Sequence, residues 1–232
     1  MQTELIVPDW PVPAREHARA FARVRALVTT RALGDMKSAE GRARLRQQLP
    51  GEPRWLEQVH GISVVDAATS VVGTVADAAY ARDPGVVCAV MAADCMPVLF
   101  AHDGGEVVGI AHAGWRGLCA GVIEATIAAM GVPARRILAW LGPAIGPGEY
   151  EVGEEVRAAF VDRDARAGIA FHSVRPGHWH LDLYAVARQR LASIGAARVS
   201  GGGLSTAADG SRFFSYRRDK ASERMAAAIW LA

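Results

Sequence analysis

Short apolar segments, punctuated by glycine, proline and polar clusters, set the rhythm of this chain. Residues 86–91 are continuously apolar, the pattern of a strand buried on both faces. Residues 96–101 and 107–111 flank His102-Asp103-Gly104-Gly105-Glu106, a turn signal that predicts a hairpin. Residues 137–141 read as another strand, ending in a Gly- and Pro-rich loop over 142–148. Segments 198–200, 213–216 and 225–230 are further strand candidates. Residues 55–59 and 62–66 read as short strands, and most of 67–85 as loop.

Helical spacing appears elsewhere. Residues 39–49 predict a helix stopped by Pro50-Gly51, and residues 117–130 one that ends at Gly131 with Pro133 beyond. Residues 153–161 and 183–194 are helices, the second with Asp182 as N-cap. Residues 16–28 read as a short helix, or as a helix running into a strand. Strands and helices alternate, yet the central hairpin excludes a purely parallel sheet. The expectation is an α/β fold of mixed sheets, one domain over residues 1–232.

Composition narrows the class. Half of the 232 residues are hydrophobic (51%), enough for a sizeable core. With 26 basic against 24 acidic residues, the net charge of +2 makes no case for a nucleic-acid or membrane partner. The N-terminus lacks a secretory pattern, and no apolar run approaches the roughly 20 residues that span a bilayer. Three cysteines, Cys88, Cys95 and Cys119, without CxxC spacing read as reduced thiols in a cytoplasmic protein.

The hairpin carries the first chemical inference. If Asp103-Gly104 is a two-residue turn, His102 faces Gly105, and counting outward places Cys95 opposite His112. Opposed side chains have Cβ atoms about 4.5–5.5 Å apart, close enough for a thiolate and an imidazole to share a zinc ion. A longer turn, or a bulge at Pro97, would shift this register. Cys95 reads equally well as a small buried residue, and His112 as a hydrogen-bonded strand-end histidine. His60 could be a surface-loop histidine. His102 belongs to the turn and reads as solvated. His178 and His180 share one strand face, with no third ligand apparent nearby.

Six ordered motifs decide between these readings. They are Gln58-Val59-His60-Gly61, the stretch from Ala93-Asp94-Cys95 to Leu99, and His112-Ala113-Gly114-Trp115-Arg116-Gly117. Gly142-Pro143-Ala144-Ile145-Gly146, Tyr150-Glu151-Val152-Gly153 and the stretch from Phe213-Phe214-Ser215 to Asp219 follow. Together they resemble the YfiH or PgeF family, long labelled multicopper polyphenol oxidase or laccase-domain proteins, over about residues 29–231. The resemblance implies mixed β-sheets packed together and flanked by helices, with a single zinc held by His60, Cys95 and His112. It also implies phosphorolysis of adenosine, inosine, guanosine and methylthioadenosine, with adenosine deamination. Bacterial members are also linked to editing of peptidoglycan precursors, by removing misincorporated serine from a muramoyl precursor. Two departures stand out. Residues 29–35 lack the Asn and His of the family's corresponding loop, and Ser205-Thr206 stands where a cysteine is common.

Three protein ligands leave a fourth position open, the mark of a catalytic zinc rather than a structural one. Asp94 and Asp77 are candidates for supporting the ligands or moving protons, or for capping turns. Arg116 could bind phosphate, or form a structural salt bridge. Arg31 is a weaker substrate-binding candidate, as are Arg217 and Arg218. A copper oxidase needs many His-x-His pairs, and this chain has seven histidines and one such pair. A cysteine hydrolase built on Cys95 and His112, and a binding module with structural zinc, are the other rivals.

Overall fold

The computed structural model describes residues 4–11 and 18–232. The first two positions of the expected 16–28 element, Glu16 and His17, lie outside them. Within them the chain opens with β1 (Leu5–Ile6), α1 (Ala18–Phe21), β2 (Val24–Thr29), α2 (Ala39–Arg46) and β3 (Val64–Asp66). Next come β4 (Ala78–Ala81), β5 (Cys88–Ala92), β6 (Met96–His102), β7 (Val108–Ala113), α3 (Trp115–Ala120) and α4 (Val122–Ala129). Then follow β8 (Ile137–Leu141), β9 (Glu151–Gly153), α5 (Glu154–Val161), β10 (Phe171–Arg175) and β11 (His178–Leu181). The chain ends with α6 (Leu183–Ser193), β12 (Arg198–Gly201), α7 (Tyr216–Asp219) and β13 (Met225–Leu231).

Among the described residues these strands form three sheets, ordered β1-β2-β13-β5, β12-β8-β6-β7-β4-β3 and β10-β11-β9. Pairing is antiparallel except between β3 and β4 and between β8 and β12. The expected mixed-sheet α/β architecture is what the chain adopts.

Continuous apolar strands follow from burial on both faces. In β6, Val98 and Phe100 point into a core shared with α3, α4 and α6, while Leu99 and Ala101 point into the core between the two larger sheets. In β13, Ala227 and Ile229 face that inter-sheet core, and Ala228 and Trp230 pack toward Leu45 of α2. Asp182 caps α6 by accepting the Ala185 N–H at 3.0 Å.

Four local expectations are corrected. Residues 117–130 form two helices, because Gly121 adopts φ +108° and breaks the ladder between α3 and α4. Within the expected loop 67–85 lies β4, whose alanines were too small to signal a core strand but are buried between β3 and β7. Residues 55–59 form no strand and make a single isolated bridge, Glu57 to Val75. Residues 213–216 lead into α7 instead of forming a strand, with the Ser215 side chain accepting the Arg218 N–H.

Phe100 is fully buried in the centre of the largest sheet. Phe100→Ala should lower the unfolding free energy by about 3–5 kcal/mol. Urea denaturation followed by circular dichroism checks this, and a loss below about 1 kcal/mol would contradict the packing described.

Candidate functional site

The β6–β7 hairpin brings its open end to the site, in a register two residues from the expected one. Pro97 opposes His112 and Met96 opposes Ala113, which sets Cys95, just before β6, against Gly114. The cause is a four-residue loop, closed by the His102 N–H donating to the Val107 carbonyl at 2.9 Å, where a two-residue turn was expected. His102, expected in a solvated turn, is instead buried at the end of β6 beside Asp103. A shift of two preserves side-chain parity, so Cys95 and His112 still share a face, now on the diagonal. Gly114 makes the diagonal usable. A Cβ there would lie 2.8 Å from Cys95 Sγ and 3.0 Å from His60 Cδ2.

His60 arrives from a loop that one carboxylate shapes. Asp77 accepts the N–H groups of Val59, His60 and Gly61 at 3.1, 2.9 and 2.7 Å, and it also accepts His112 Nδ1 at 2.8 Å. The Gln58 amide grips both the N–H and the carbonyl of Met91, each at 2.8 Å, and ties the same loop to β5. His60 itself sits at φ +62°, a left-handed conformation that a non-glycine residue holds only when its surroundings enforce it. The ligand atoms of His60, Cys95 and His112 lie within 4.8 Å of one another, a donor set that could hold a metal ion. The two imidazole rings meet edge to face, with centroids 4.9 Å apart.

Electrostatics favour a thiolate. Burial alone would push the Cys95 thiol up, but hydrogen bonds and positive charge from His112 and His60 outweigh it and bring it to about 6. Burial pulls His112 down, but hydrogen bonds to Asp77 and Cys95 and their negative charges raise it to about 9. Burial opposes the ionised Asp77 carboxyl too, yet the bonds from His112 and the loop N–H groups hold it below the ordinary carboxylate value. By contrast, burial pushes the Cys88 thiol well up, in keeping with a core residue.

The three side chains line a cavity of about 960 Å³, together with Asp94, Arg116, Tyr150, Arg217 and other residues from α2 and the C-terminal segment. Asp94 reaches this cavity but is not aimed at His60 or His112. Its carboxylate accepts the Thr206 hydroxyl at 2.7 Å and the Arg217 N–H at 2.6 Å, and its backbone is held at φ +86°. Thr206, at the position where a cysteine was noted as common, thus helps hold the loop that carries Cys95. Arg31 is not among the residues lining the cavity: it donates to Asp219 at 3.0 Å and to the Phe213 carbonyl. Arg218 is likewise spent on Asp219 and on backbone carbonyls. Arg116 stays at the cavity, its guanidinium 4.4 Å over the Trp115 ring. His178 pairs with Glu151 at 3.0 Å, and, as expected, among the described residues His178 and His180 do not join a third ligand in a cluster that could hold a metal ion. Of the weaker arginine candidates Arg217 does line the cavity, its side chain 5.3 Å over the ring of Tyr150, which only its motif had singled out.

Fold and site together define a mixed-sheet α/β protein with a His/Cys/His cluster in a large cavity. The chain belongs to the family described as multi-copper polyphenol oxidoreductase laccase, whose model matches residues 27–232. It is 46% identical to the protein named purine nucleoside phosphorylase YfiH of Escherichia coli, covering 99% of each chain. It is also 46% identical to a protein named as a purine nucleoside phosphorylase of Pseudomonas aeruginosa, covering 97% of this chain and 98% of the relative. A crystal structure of a Neisseria meningitidis protein superimposes with a TM-score of 0.89 at 41% identity, over 99% of both chains. Among the described residues no helix is long and apolar enough to cross a membrane.

In metal-free protein, alkylation of Cys95 should accelerate through a midpoint near pH 6, because the thiol protonates and slows below it. Asp77→Asn should move that midpoint upward by weakening the charge on His112. Mass spectrometry of the Cys95 peptide across pH checks both, and a midpoint at the ordinary thiol value of about 8.5 would contradict the assignment.

Proposed function

We propose that this protein is a zinc-dependent purine nucleoside enzyme. It phosphorolyses adenosine, inosine, guanosine and methylthioadenosine, with adenosine deamination alongside. The carrying observation is the convergence of His60, Cys95 and His112 on one point of a cavity that also holds arginines and aromatic rings. The names of the relatives point the same way.

The donor set fits zinc. Cys95 offers a thiolate at neutral pH, and Asp77 engages His112 Nδ1, which leaves Nε2 as the ligand atom. Three ligands of these types leave one position open. When bound, the ion supplies a positive charge and Lewis-acid polarisation at that position.

The remaining work falls to side chains. In phosphorolysis a phosphate oxygen forms a bond to ribose C1′ while the C1′–N9 bond breaks, its electrons passing to the purine with a proton. Arg116 is exposed, and among the described residues it has no carboxylate within 4.0 Å, so its fork is available to hold the attacking phosphate. Burial keeps the Tyr150 phenol protonated, which makes it a neutral donor toward the base or sugar. Trp115 and Tyr150 offer flat faces to a purine. Holding both reactants in line is itself a large part of such catalysis.

A second reading uses the same atoms. Cys95, His112 and Asp77 also form a nucleophile, base and orienting carboxylate. His60 counts against it, because a second imidazole on the thiol serves a metal and has no part in that triad. Chelated protein that retains full turnover would favour the cysteine reading.

Purified protein should contain about one zinc per chain, lost in His60→Ala, Cys95→Ala and His112→Ala but kept in Cys88→Ala. Full occupancy in all three ligand variants, read by elemental analysis, would sink the assignment. With adenosine and phosphate, chromatography should show adenine and ribose 1-phosphate, with some inosine, and no products in Cys95→Ala. Arg116→Ala should raise the KM for phosphate about 10- to 100-fold with zinc content unchanged. An unaltered phosphate KM would return Arg116 to a structural role.

A further inference from the structure

Six cationic side chains line the cavity: Lys37, Arg42, Arg116, Arg217, Lys220 and Arg224. Among the described residues, none of the six has a carboxylate within 4.0 Å, whereas Arg136, Arg190 and Arg198 elsewhere are paired with Asp103 or Glu124. Five of the six rest over aromatic rings: Arg42 on Trp55, Arg116 on Trp115, Arg217 on Tyr150, and Lys220 and Arg224 on Tyr216. Arg217 and Arg224 also donate to the neutral backbone carbonyls of Glu151 and Glu223. A ring face orients a cation without cancelling its charge. So much uncancelled charge around one cavity costs free energy unless an anion enters.

The six divide into two groups. Arg116 and Arg217 belong with the His60, Cys95 and His112 cluster, through Trp115 and through Tyr150. Lys37, Arg42, Lys220 and Arg224 are stitched to one another. Asp35 accepts the backbone N–H groups of Lys37 and Arg224 at 3.0 and 2.9 Å, and the Met36 N–H donates to the Arg224 carbonyl. Arg42 Nε donates to the Met36 carbonyl at 2.8 Å, and Tyr216 carries both Lys220 and Arg224. An inorganic phosphate brings only about −1.5 to −2 charges, and in the reading above it is engaged by Arg116. A cavity of about 960 Å³ stands near the upper end of small-molecule sites, roughly 300–1,000 Å³, and leaves room beyond a nucleoside.

We infer that Lys37, Arg42, Lys220 and Arg224 form a second anion subsite. It receives a phosphate or pyrophosphate group carried by the nucleoside itself, so the cavity binds nucleotides more tightly than nucleosides. The inference rests on the reading of this cavity as a purine nucleoside site. The separate phosphate that attacks C1′ is a different group.

Titration calorimetry of the zinc-loaded protein with inosine, inosine 5′-diphosphate and inorganic pyrophosphate tests it. Without phosphate in the buffer no phosphorolysis occurs, and inosine has no amino group to lose. The diphosphate should bind at least tenfold more tightly than inosine, with the gap closing as salt is raised. In Lys37→Gln and Arg224→Gln the gap should shrink roughly tenfold, and Arg224→Lys should restore most of it. Lys37 is exposed, so its variant tests the charge without disturbing the core. Equal affinity for inosine and its diphosphate overturns the inference, as does a gap that survives both glutamine variants. Pyrophosphate binding as tightly as the diphosphate would also overturn it, by showing a site for free anions. Inosine phosphorolysis assayed on the same preparation separates the two ideas. Turnover without an affinity gap sinks only the subsite, and a gap without turnover sinks only the phosphorolytic reading.

Discussion

The site depends on one buried carboxylate. Asp77 lies at the edge of β4 and accepts from three consecutive N–H groups of the His60 loop and from the His112 ring on β7. It binds a loop to a strand, and one imidazole to the turn that presents the other. A buried charge is costly unless fully hydrogen-bonded, and here every bond made to satisfy it also fixes a candidate ligand. The left-handed backbone at His60 persists because this anchor and the Gln58–Met91 clamp leave the loop no easier path.

Cys95 is placed by a matching device. Asp94 takes up φ +86° and spends its carboxylate on Thr206 and on the first turn of α7, so the C-terminal segment braces the loop before β6. Gly114 removes the side chain that would otherwise fill the space taken by Cys95 Sγ. The cavity wall beyond is built differently, from cations resting on rings rather than on carboxylates. A wall of that kind keeps its charge for what enters.

Much of this was legible along the chain because its signals are local. The apolar run at β5, the turn signal between β6 and β7, the Asp182 cap and the full span of β8 depend on neighbouring residues. β4 was missed because Ala-Ala-Tyr-Ala has little hydrophobic contrast, and its burial comes from the helix-covered core on one face and the inter-sheet core on the other. The helix over 117–130 was read as continuous because periodicity averages over a single glycine, while the φ of Gly121 depends on how α3 and α4 pack.

By itself the sequence determined the alternation of elements, the hairpin, and the ordered motifs that single out His60, Cys95 and His112. Parity along a strand is a property of the chain, so the shared face of Cys95 and His112 survived an error of two residues in register. Tertiary structure alone decided which carboxylate serves the histidines and which arginines are free. Arg31 and Arg116 have the same side chain, yet one is spent on Asp219 and the other stays at the cavity. The physical reason is that hydrogen bonds and charge pairs act through space, over a few ångströms, between residues such as Asp94 and Thr206 that stand more than a hundred positions apart.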